Sequence, residues 1–213
     1  MGKMYKIPRT YRKLFKRYAS KYFPGEEKEM LTKANKIYDE FKREAPDIGG
    51  GKNMLAGNLD MALAFFAFHE ASDKRVTGKD VEEIAGWMFS KLSFASKLID
   101  FNKPWVAKLM YKVYVPYVKK VEKYKAKGEW GNTWGVKLNP ENYSEGCSFH
   151  LIGCPLVDFA KKHGYMEMMP YMCATDHMSA NLMNAKLLRN HTVAEGADSC
   201  DYWYVGNRSK ATK

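Results

Sequence analysis

The sequence predicts an α+β protein, with a helical N-terminal part packed against a C-terminal four-stranded antiparallel sheet in the order β-β-α-α-β-β. Two observations predict it. Up to about residue 127, apolar residues recur at helical spacing; from Gly128 the pattern shifts toward alternation. Helices and strands segregated along a chain in this way form α+β folds. With 213 residues the chain can bury a substantial core. The expected organisation is a helical part (1–127), an α+β part (128–205) and a polar tail (206–213) expected to fray, together one compact unit.

In the first helix Tyr11, Leu14, Phe15, Tyr18 and Tyr22 share a face, and Pro24-Gly25 ends it. Met30, Ala34, Ile37, Tyr38 and Phe41 mark the second, closed by Pro46 and Gly49-Gly50-Gly51. That glycine run is not a phosphate loop, because no strand precedes it and no Gly-Lys-Ser/Thr follows. Residues 53–71, through Leu59, Leu63, Phe66 and Phe68, read as a mostly buried third helix. Val81, Ile84, Ala85, Met88, Phe89, Leu92, Ala95 and Ile99 predict a fourth, with Thr77 and Asp80 as a capping box. Asn102 caps a fifth, with Pro104 at its start and a kink at Pro116. Trp130 to Leu138 and Tyr143 to Ile152 read as strands joined at Asn139-Pro140. Pro155 to His163 is a short helix stopped by Gly164, and a further helix follows around 167–182. Ala185 to Thr192 and Cys200 to Val205 are the last strands, with a turn at Gly196.

The formal net charge of +11 is uneven: residues 1–23 hold eight basic residues and no acidic ones. The high pI therefore belongs to an arm, and a nucleic-acid-binding domain is not expected. The arm either docks its aromatic stripe on the core, its basic residues solvated, or lies on an anionic membrane surface. The longest uncharged apolar run, Met61 to Phe68, is too short to span a bilayer. No secretory pattern follows the basic start, and the four cysteines are widely spaced, which fits reduced thiols in a cytoplasm.

The chemistry concentrates in the last sixty residues. Cys154 precedes Pro155, Cys173 lies three residues before Asp176, and Cys200 adjoins Asp201, with Arg189 between the last two cysteines. Thiols beside ionisable groups serve as nucleophiles, proton carriers or metal ligands. Three readings stay open: a catalytic or substrate-lining set, a zinc site through Cys154, Cys173 and Cys200, or buried packing residues. Cys147 is assigned to packing. The methionines from Met166 to Met183 are assigned to core or pocket wall.

The segments Cys154-Pro155-Leu156-Val157-Asp158, Gly164-Tyr165-Met166-Glu167, Tyr171-Met172-Cys173-Ala174-Thr175-Asp176 and Leu188-Arg189-Asn190-His191-Thr192-Val193-Ala194-Glu195-Gly196-Ala197-Asp198-Ser199-Cys200-Asp201 resemble the L-2-amino-thiazoline-4-carboxylic acid hydrolase family. The ordered match covers about residues 147–205. Asn190 and His191 depart from the small or hydroxylated residues more usual after the Arg. The resemblance implies a hydrolase that opens 2-amino-thiazoline-4-carboxylate, a small molecule, to N-carbamoyl-cysteine; no cofactor is expected, with zinc through Cys154, Cys173 and Cys200 as the alternative. Ring opening needs attack at the carbon between N and S, a proton for the leaving atom and an anchor for the carboxylate. Cys173, Cys200 or Cys154 is then a nucleophile, or Asp176 or Asp201 activates water. Arg189 suits the anchor, with Glu167 a second substrate-binding candidate unless it only caps its turn. His177 and His191 are further acid/base candidates. Cys173 and Asp176 are expected at the start of a helix, converging on Arg189. A non-enzymatic small-ligand or zinc-binding module using the same cysteines is the alternative.

Overall fold

The computed structural model describes residues 4–92 and 99–213. Its centre is helix α3 (Ala56–Ala71), in which eleven of sixteen residues are buried. A helix apolar all round must be covered on every side. Helix α2 (Glu27–Glu44) packs along it. Helix α1 (Arg9–Tyr22) brings Phe15, which stacks on Phe68 at 4.4 Å and meets Phe65 edge-on at 5.1 Å. The basic arm is thus docked through its aromatic stripe. Lys21 pairs with Glu83 at 2.9 Å, and Arg17 lies over the Trp87 ring. Its other basic residues, Lys6, Arg9, Arg12, Lys13 and Lys16, are exposed, so any anionic surface it meets would face them and not the buried stripe.

Helix α4 (Gly78–Lys91) starts on the expected capping box, where Thr77 N donates to Asp80 Oδ2 at 2.6 Å. The expected continuation through Ala95 falls outside the described residues, and Ile99 is not helical. Helix α5 (Pro104–Lys125) runs on through Pro116. Asn102 is not its cap; Lys103 is. The Asn102 side chain instead donates to Asp100 and Asn207 and accepts from the Arg208 amide. The tail is likewise tied rather than frayed. Lys186 Nζ donates to the carbonyls of Ser209 and Ala211, and Lys213 pairs with Asp201.

The expected sheet is present: β1 (Gly135–Leu138), β2 (Cys147–Ile152), β3 (Ala185–Leu188) and β4 (Ser199–Gly206) pair antiparallel in the order β1-β2-β4-β3. Helices α6 (Pro155–His163) and α7 (Met169–Asn181) lie between β2 and β3 in the chain. Three strands are shorter than their apolar runs predict. β2 begins at Cys147 because Gly146 has φ +73°, and a Cβ there would lie 2.2 Å from the Tyr204 carbonyl oxygen. β1 begins late because Trp130, at φ +54°, turns the chain and stacks on Tyr124. β3 stops at Leu188 because the next amides, Asn190 and His191, bond the Asp201 carboxylate instead of a strand.

Because Phe15 is fully buried against two rings, Phe15→Ala should destabilise the fold by about 3–5 kcal/mol. Thermal or urea denaturation reads this directly. A change under about 1 kcal/mol would mean α1 is not part of the core.

Candidate active site

Residues that alternate along a strand point to opposite faces of its sheet. The inner face of β4 therefore presents Cys200, Tyr202 and Tyr204, paired in register with Leu151, Phe149 and Cys147 of β2. Helix α7 faces them with Met172, Cys173, Thr175, Asp176 and Ser179, and the start of α6 adds Cys154. Together with side chains from α3, α4 and α5 they enclose a cavity of about 430 Å³.

One carboxylate dominates its polar part. Asp176 Oδ2 accepts from Arg189 Nη1 at 2.7 Å and from the Tyr202 hydroxyl at 2.9 Å. Arg189 also donates to the Cys173 carbonyl at 3.1 Å and lies over the Tyr202 ring. Its side chain is only 8% exposed, whereas that of Asp176 is 30% exposed, toward the cavity it lines. Burial raises the Asp176 pKa above the ordinary carboxylate value, and Arg189 and Tyr202 only partly offset it. Tyr202 titrates far above its ordinary range, through burial and the neighbouring Asp176.

The thiols are shifted the same way. Burial pushes Cys173 up to about 12; Asp176 adds to the shift and Arg189 opposes it. Burial pushes Cys154 to about 11, the amides of Val157 and Leu156 and the Trp134 indole holding it back. Cys154 is the N-cap of α6, and although its sulfur makes no capping hydrogen bond of normal geometry, it sits at the positive end of the helix. Cys200 is raised by burial, while the Val193 amide donates to its sulfur at 3.2 Å and lowers it. Cys147, up to about 12 through burial, contacts Tyr111. All four cysteines are free.

The expected convergence of Arg189, Asp176 and Cys173 is present, with Cys200 arriving from β4. Four details differ from the sequence reading. Cys173 is not at a helix start: the turn Met166–Met168 precedes α7, which begins at Met169, so Cys173 lies beyond its first turn. Arg189 is engaged by Asp176 and does not line the cavity. Asp201 points to the other face of the sheet, 2% exposed, where it accepts the Asn190 and His191 amides and pairs with Lys213 at 2.5 Å. Glu167 is exposed on the turn before α7, outside the cavity lining. His177 is exposed, and His191 lies 3.5 Å from Asp201 on the outer side. Sequence reasoning missed Tyr202 and Trp134. The first was accessible: Cys200-x-Tyr202-x-Tyr204 sets these side chains on one strand face.

Among the described residues, no three His, Cys, Asp or Glu side chains are placed to hold a metal ion together. No helix among them is long and apolar enough to cross a membrane. In comparisons with known proteins, the sequence model of the L-2-amino-thiazoline-4-carboxylic acid hydrolase family matches residues 57–204. No curated protein and no solved structure gives a significant match.

Asp201 offers a test of the two sheet faces. Burial pushes its pKa up, but Lys213 and the two backbone amides outweigh that and hold it below 3.8. A depressed carboxylate contributes stability fully above its unfolded pKa and loses it as pH falls through the folded one. Asp201→Asn should therefore cost about 2 kcal/mol at pH 7 and weaken the loss of stability below about pH 4. Measured per folded molecule, turnover should persist; its abolition would return Asp201 to the chemistry.

Proposed function

The chain belongs to the L-2-amino-thiazoline-4-carboxylic acid hydrolase family, and from that premise we propose that it hydrolyses a small cyclic C–N/C–S compound such as 2-amino-thiazoline-4-carboxylate, giving N-carbamoyl-cysteine. The observation that carries this reading is Asp176, a carboxylate with a raised pKa, held by Arg189 and Tyr202 on the wall of a thiol-lined cavity.

The raised pKa values, together with the placement of these groups on the cavity wall, support the following roles. At neutral pH the buried thiols are protonated, hence weak nucleophiles and weak acids, and their S–H groups serve as hydrogen-bond donors. A carboxylate with a raised pKa is a stronger base than an ordinary one. Asp176 takes a proton from water as the water oxygen bonds the ring carbon between N and S. The carbon–sulfur bond then breaks, the protonated Asp176 gives its proton to the departing sulfur, and Cys173, one helical turn away, donates an S–H hydrogen bond to it. The proton of the added hydroxyl passes to the ring nitrogen as the carbonyl forms, so Asp176 is restored, one water is consumed and the thiol of the product is formed.

A second reading makes Cys154 the nucleophile, because the α6 amides and Trp134 favour its thiolate. Its sulfur would bond the ring carbon while the proton it gave up passes to the departing ring sulfur, and water would then displace the Cys154 sulfur and return a proton to it. A purely metal-binding role for the same cysteines gains no support from the arrangement of donors among the described residues.

The pH profile separates the two enzymatic readings. With Asp176 as base, kcat/KM should rise through a pKa above 3.8 and stay level through pH 9. With a Cys154 thiolate, it should climb about tenfold per pH unit toward about 11, since the reactive fraction does so. Turnover is followed by mass spectrometry of the carbamoylated thiol product. Asp176→Asn should lower kcat/KM by about 100-fold or more, with circular dichroism confirming the fold; Cys173→Ser should also lower it, and Cys147→Ser should be silent. Absence of turnover with 2-amino-thiazoline-4-carboxylate and with its 4-alkyl analogues would refute the hydrolase reading.

A further inference from the structure

We infer that this site prefers, over the 4-carboxylate itself, substrates that carry an alkyl or aryl body beside the reacting amidine-type carbon; the inference rests on the hydrolase reading. Three observations lead there. The cavity of about 430 Å³ lies in the range that takes drug-sized ligands, and a five-membered ring with two small substituents would leave much of it empty. Six methionines line it: Met61, Met88, Met110, Met169, Met172 and Met183. Flexible, polarisable methionines make an apolar wall that adapts to ligands of differing shape. Finally, the expected anchor for a carboxylate is already in use. Arg189 bonds Asp176 at 2.7 Å and the Cys173 carbonyl at 3.1 Å, and among the described residues no Lys, Arg or His lines the cavity.

The charge that does face the cavity is the Asp176 carboxylate. With Arg189 spent on it, no cation among the described residues of the wall remains to pair a substrate carboxylate, which would be buried uncompensated, whereas Asp176 accepts the N–H groups of an amidine or isothiourea. With the nitrogens held there, the reacting carbon lies near the base and the apolar body takes up the methionine wall.

The test is a binding series on the unaltered full-length protein, read by calorimetry and independent of turnover. The probes are acetamidine, butanamidine, hexanamidine and a carboxylated amidine of matching length. Affinity should tighten about fourfold per added methylene, the equivalent of about 0.8 kcal/mol, and the carboxylated probe should bind at least about tenfold more weakly than hexanamidine. Met110→Lys, at a half-buried wall position, should reverse that order. Affinity independent of chain length, or preference of the unaltered protein for the carboxylated probe, overturns the inference. Graded binding of the amidines with no hydrolysis of any thiazoline leaves the ligand class standing and removes the hydrolase reading instead.

Discussion

The pair between Arg189 and Asp176 ties the end of β3 to the middle of α7, and the polar part of the cavity is built around it. Burying two charges costs several kcal/mol each, and that cost is recovered only where geometry is good and the remaining donors are satisfied. Both conditions are met here. Arg189 has the carboxylate, the Cys173 carbonyl and the face of Tyr202; Asp176 has Arg189 and the Tyr202 hydroxyl. One guanidinium thereby fixes the positions of a carboxylate, a helix turn bearing a thiol and a strand tyrosine. It also keeps the Asp176 pKa from rising as far as burial alone would drive it.

The two faces of β4 divide the labour. Cys200, Tyr202 and Tyr204 look inward at the cavity, while Asp201 between them looks outward and holds the chain after β3 and the Lys213 side chain. Asp201 takes the amides of Asn190 and His191, and the turn Val193–Glu195 follows, its Thr192 side chain accepting from the Glu195 amide. That turn presents the Val193 amide to Cys200. A carboxylate on one face of the sheet thus fixes the loop that supplies a hydrogen bond to a thiol on the other, which gives an outward-facing aspartate a physical connection to the site without contact with it.

Much of this was legible in the sequence, and the failures have specific causes. The capping box at Thr77, the bounds of α6 and the antiparallel pairing of four strands follow from local signals that tertiary packing reinforces. The docked state of α1 was one of two readings of an aromatic stripe, and only the presence of Phe65 and Phe68 opposite it decides between them. The start of α7 was misplaced because Met166–Met168 is helical in spacing but forms a separate tighter turn. The role of Arg189 depended on which acid it would meet, a long-range fact that spacing does not encode. The same holds for Asp201, although its direct neighbour Cys200 already implied, through the two-residue period of a strand, that the two could not share one face.

The thiols raise the last point of physics. A cluster of cysteines invites a nucleophilic mechanism, but burial acts on the thiolate as it does on any anion, and here it raises all four pKa values. Neighbouring Asp176 raises Cys173 further, and the cysteines in turn oppose one another's ionisation. A charge count follows: the Asp176 carboxylate on the cavity wall is balanced by Arg189 behind it, and adding a thiolate would leave an unbalanced negative charge in a low-dielectric space. In the proposed hydrolysis, proton transfer through Asp176 avoids that cost, because the proton it takes from water goes on to the departing sulfur and no thiolate forms on the protein. Among the cysteines, Cys154 is the position where a thiolate would cost least, since peptide dipoles at the start of α6 and the Trp134 indole face it. Under the proposed hydrolysis these electrostatics favour the carboxylate route over a Cys154 thiolate.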